Sequence, residues 1–78
     1  MKTDYLIKMA NQIGEAYAAS PDADDARRQI ANHLQQFWEP RMRQAIIRYV
    51  SEQQGADLSP RVIEAVRLLA VDLQAKNP

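Results

Sequence analysis

Apolar side chains recur along this chain every three to four residues in four separate runs, the spacing of a helix with one buried face. The first run, about residues 3–19, aligns Leu6, Met9, Ala10, Ile13, Ala16 and Tyr17, with Ile7, Gly14 and Ala18 as a flatter strip beside Asn11. Thr3 or Asp4 is its expected cap, because a short side-chain oxygen accepts from unpaired first-turn amides. Gly14 costs about 1 kcal/mol relative to alanine inside a helix, so close approach of a neighbouring backbone explains it better than propensity. Ser20-Pro21-Asp22 then reads as a serine cap, a proline at the first helical position and acids in the first turn. The helix it opens, about 21–38, carries a narrow stripe of Ala23, Ala26, Ile30, Leu34 and Phe37, edged by Arg27 and His33.

Pro40 has to end or bend that helix, since its ring clashes with the carbonyl four residues back and disfavours helical geometry at Glu39; the break is expected at Trp38-Glu39. The third run, about 40–54, sets Met42, Ala45, Ile46, Tyr49 and Val50 on one side, with Ile47 widening the arc, against Arg41, Gln44, Arg48, Ser51 and Glu52. An arc this broad suits burial by more than one neighbour. Gly55 is the expected left-handed stop, Ser59-Pro60 repeats the serine-proline start, and Leu58 and Ile63 have the spacing of a hydrophobic staple. In the last run, about 60–75, Val62, Val66, Leu69, Ala70 and Leu73 form the stripe, and Leu68 and Val71 point away from it into water. The tail from Lys76 is expected to fray. The pattern predicts one all-α domain over 1–78, a small four-helix bundle with neighbouring helices antiparallel because the loops are short.

Composition narrows the chemistry. A 78-residue chain has one core, worth about 3–5 kcal/mol net at this size, and without cysteine it has neither disulfides nor thiolate metal sites. Ten basic and ten acidic residues cancel, so nothing global draws the chain to nucleic acid or to an anionic membrane. No run approaches the roughly 18 apolar residues of a membrane span, and the first residues lack the apolar centre of a signal peptide, so a soluble, cytoplasmic protein is expected. The single histidine, His33, cannot assemble a zinc site or a nucleophile–base pair; one turn before Phe37, it reads as a half-buried ring stacked at the core edge. Asp22, Asp24 and Asp25 lack the glycine and distal glutamate of a calcium loop and read as first-turn acids. The remaining carboxylates are scattered on polar faces, so no catalytic residue, metal ligand or cofactor site is expected.

Trp38 with Arg41 and Arg43 is the cluster with two readings. Tryptophan and arginine are enriched in binding hot spots, yet a tryptophan at a helix break also covers the end of a core while the arginines stand in water. A helix-turn-helix reading is weaker, because acids match bases and the third helix is too apolar to read a groove. The words around the cluster are distinctive: Met9-Ala10-Asn11-Gln12-Ile13-Gly14, the Pro21-Asp22 start, and Ile30-Ala31-x-His33-Leu34-x-x-Phe37-Trp38-x-Pro40-Arg41-Met42-Arg43. In these words, over about residues 5–50, the chain resembles the delta subunit of soluble, NAD-dependent, molybdenum- or tungsten-containing formate dehydrogenases; after Gln53 it matches only as another helix, and Tyr17 stands in an alanine-rich stretch where more aromatics are expected.

The resemblance implies a small, cofactor-free, non-catalytic accessory subunit. Its implied partner is the catalytic molybdopterin subunit, whose assembly, cofactor insertion or stability it supports; nucleic acid and membrane are not implied partners. Asn11, Gln12, His33, Trp38, Arg41 and Arg43 are the partner-binding residues it suggests. The apolar residues off the stripes add the expectation that the isolated chain self-associates.

Overall fold

The structure, a computed structural model, describes residues 2–76, with side chains described through residue 72. It contains four helices, α1 (Thr3–Ala16), α2 (Ala23–Phe37), α3 (Pro40–Gln53) and α4 (Pro60–Lys76), and no strand among the described residues. The protein is a small all-α bundle. The expected burial of Leu73 and the fraying of the tail fall outside what is described.

The two proline-first starts differ. Pro60 opens α4 and Pro40 opens α3, as their spacing predicts, but Pro21 lies outside α2. Asp22 rather than Ser20 caps α2: its Oδ1 accepts from the amides of Asp24 at 3.0 Å and Asp25 at 3.4 Å, and the Ser20 hydroxyl donates to the Asp22 carbonyl. Aspartate caps as well as serine does, and it sits at extended angles (φ −106°, ψ 111°), which displaces the start by two residues. At α1 neither Thr3 nor Asp4 caps. Lys2 takes the cap position with no side-chain bond, and its carbonyl accepts from Tyr5 and Leu6. The left-handed turn after α3 begins one residue earlier than Gly55, at Gln54 (φ 59°), and continues through Gly55 (φ 67°).

Two residues, Trp38 and Glu39, join α2 to α3, both extended (ψ 139° and 154°). Across this joint α2 and α3 touch only marginally, as do α1 and α2. Of the consecutive pairs only α3 and α4 pack on one another. Most of the packing runs through α4, which lies chiefly on α2 and also on α3 and α1, while α1 packs on α3 as well. Ala10, Ala26, Ile30, Leu34, Ile46, Val62 and Ala65 are fully enclosed in the core so formed. Ala65, absent from the predicted stripe, is buried because α4 has neighbours on several sides.

The same crowding turns α1. Its buried residues are Leu6, Ile7, Ala10 and Gly14, so the face lies between the two predicted strips; Met9, Ile13 and Tyr17 are half-buried and Ala16 is exposed. A methyl group at Gly14 would stand 2.5 Å from Val62 Cγ2, the close approach of α4 that this glycine permits. Leu68 is half-buried against the core rather than in water, whereas Val71 is exposed as expected.

Candidate partner-docking surface

Because α1 and α2 barely touch, a groove remains between them. One wall is the face of α1 carrying Met9, Gln12, Ile13, Ala16 and Tyr17. The other is the last turn of α2, with His33 and Phe37, and Trp38 and Met42 close the floor where α2 gives way to α3. The cavity measures about 450 Å³. No lysine, arginine, aspartate or glutamate lines it; its polar atoms come from Gln12, His33, Tyr17 and the Trp38 indole. His33 packs on Phe37 with ring centroids 4.7 Å apart and planes tilted by 41°, the half-buried stacked ring expected for it.

Phe37 leaves the place the periodicity assigns it, and Trp38 takes the core-covering one of its two readings. Phe37, predicted in the core stripe, is 70% exposed, and Trp38 is only 4% exposed, packed into the core. Phe37 is the last helical residue. Trp38 leaves the helix (φ −89°, ψ 139°), so helical spacing no longer fixes its direction, and the larger ring is buried in the core while the smaller one is left at the groove's lip. Arg43 holds this arrangement: one guanidinium nitrogen donates to the Trp38 carbonyl at 2.7 Å and to the Gln35 carbonyl at 2.9 Å, two acceptors that the end of α2 leaves unpaired.

Of the six residues named from the sequence, the groove brings together Gln12, His33 and Trp38. Asn11 points elsewhere. Its amide donates to the Asp57 carbonyl at 2.9 Å and its Oδ1 accepts from the Ser59 amide at 2.9 Å, tying α1 to the loop before α4. Arg43 is committed to the α2–α3 joint, and Arg41 is exposed on the outer face of α3 with Gln44 and Arg48. Sequence reasoning missed Phe37 as an exposed residue, and Tyr5, 60% exposed one turn before Met9; Met9 and Met42, expected in the core stripes, pack half-buried against the core while lining the groove. The signal available for Phe37 was its place immediately before the break that Pro40 imposes. Among the described residues no group of three metal-ligating side chains converges.

Residues 5–66 match the FdsD family, the NADH-dependent formate dehydrogenase delta subunit. The chain belongs to that family. No curated protein and no solved structure matches it. The FdsD match includes every residue of the groove and reaches into α4, beyond the Gln53 limit of the likeness read from sequence. A family of formate dehydrogenase subunits has a catalytic subunit as partner. None of the described helices is long and apolar enough to cross a membrane.

Proposed function

We propose that this chain is a non-catalytic accessory subunit of a soluble, cytoplasmic, NAD-dependent formate dehydrogenase, and that it docks on the catalytic molybdopterin subunit through the α1–α2 groove to support assembly, cofactor insertion or stability. The observation that carries this reading is Phe37, a large apolar ring left 70% exposed beside an uncharged groove in an FdsD chain. Exposed apolar patches next to a groove are where partners bind, and aromatic rings seated in such a pocket supply a large share of the binding energy. Gln12 and His33 offer hydrogen bonds to partner backbone, and the Trp38 edge gives the docked surface a rigid floor. Arg41, exposed on the outer face of α3, contacts the partner outside the groove. Asn11 and Arg43 serve from behind, by holding the groove's walls in place.

Copurification with the catalytic subunit tests this. The wild-type chain is expected to copurify and to raise the molybdenum or tungsten content and formate oxidation of that subunit. Phe37→Ala should weaken binding by about 2 kcal/mol, roughly 30-fold, while the helical content of the free chain is unchanged. A wild-type chain that neither copurifies nor alters metal content overturns the reading.

A further inference from the structure

We infer that Arg61, in the first turn of α4, is a positioning residue for the groove: it holds the second half of α1 in the stance that makes the groove's wall, and that half shifts when Arg61 lets go. Its charge stands at the wrong end of its own helix. The first turn of α4 has no acidic residue, and a cation there opposes the helix dipole. The last turn of α1 has no basic residue, and a cation is what that end favours. Arg61 serves the other helix. One guanidinium nitrogen donates to the carbonyl of Ala18 at 3.1 Å and to that of Tyr17 at 3.4 Å, acceptors at the end of α1. Asn11 answers from the opposite side: its bonds to the Asp57 carbonyl and the Ser59 amide satisfy backbone groups just before α4. The end of α1 and the start of α4 are thus each served by a side chain of the other helix.

What this clasp holds is the part of α1 with the least apolar anchorage. Leu6, Ile7 and Ala10, the buried side chains of α1, all lie in its first half. Beyond Ala10 the one buried residue of α1 is Gly14, which lets α4 approach but has no side chain to pack. Ile13 and Tyr17 are only half-buried, with the groove on their open side. Nothing across the groove props this half, since α1 barely touches α2. Yet Gln12, Ile13, Ala16 and Tyr17, most of the wall on this side, belong to it or to its cap. The clasp bonds lie at or near the surface, where water competes for the same groups, so the wall is held in place without being locked.

The consequence for docking rests on the accessory-subunit reading, whereas the clasp is tested on the free chain. Trp38, the single tryptophan, lies at the groove's floor and reports its state. In Arg61→Ala, quenching of Trp38 fluorescence by acrylamide is expected to rise. Amide exchange at Tyr17 and Ala18, bonded to the Gly14 and Glu15 carbonyls, should quicken about tenfold, while exchange at Trp38, bonded to Leu34, keeps its wild-type rate. Arg61→Lys, which retains a cation at the end of α1, is expected to fall between the two. Capture by the catalytic subunit should weaken about threefold in Arg61→Ala, because only chains with the wall in place are competent to dock. Unchanged Trp38 quenching, exchange that quickens equally at Trp38 and Tyr17, or unchanged capture by a subunit that binds the wild-type chain overturns the inference. A wild-type chain that fails to copurify, while Trp38 and the α1 amides respond as stated, overturns the accessory reading and leaves Arg61 as the holder of the wall.

Discussion

Asn11, named from sequence as a contact residue, has hydrogen bonds of its own within the fold. It belongs to a distinctive word of the sequence, but its partners are Asp57 and Ser59, 46 and 48 positions away, and no local pattern announces a bond of that span. Removing both bonds in Asn11→Ala should cost about 1–2 kcal/mol of stability, which at this size lowers the melting temperature by several degrees. A thermal melt of the variant identical to wild type would show that water replaces both bonds without loss. Phe37 and Trp38 give the complementary lesson. Helical spacing runs through Phe37 and stops there; one residue past the end, the backbone angles of Trp38 choose which ring is buried, and those angles follow from Pro40 only as a break, without a direction.

At the scale of elements, the features legible in sequence were those fixed by backbone covalency: proline at the first position of α3 and α4, and the interruption between α2 and α3. α1 starts at Thr3 as expected, though on Lys2 as cap, whereas the start of α2 was displaced because caps compete, and the sequence offered Ser20 and Asp22 within three residues of one another. The joint itself was legible as a break, while its clamp was not. Arg43 looked like a free guanidinium and is instead the donor to two carbonyls at the end of α2. Arg43→Ala should therefore loosen the joint, costing about 2 kcal/mol or more for two charge-assisted bonds, with faster amide exchange at Trp38, whose N–H bonds Leu34. Arg43→Lys should rescue only part of this, because the ammonium carries enough donors for both carbonyls but its stem ends one bond short of the guanidinium nitrogen that makes both bonds. Equal exchange rates in all three proteins would remove Arg43 from the joint.

For the whole molecule, the class and the number of helices could be read from periodicity, but their arrangement could not, since apolar stripes say that a face is covered and not by which helix. The groove follows from the arrangement alone: α1 and α2 each find their main neighbour elsewhere and leave the space between them open. With one small core, the free chain is expected to unfold with only about 3–5 kcal/mol of stability, and a saturating partner at about 100 times its Kd should add about 2.7 kcal/mol. Thermal melts with and without the catalytic subunit read this directly, and an unshifted transition would mean that the two do not meet in the native state. The central position of α4 also sets an order of events. During synthesis α2 emerges with little to hold it, since α1 packs on α3 rather than on α2, and its apolar face waits for the segment that comes last. The fold is thus closed by the helix made last of the four, and the groove exists as a shaped surface only after translation has passed it.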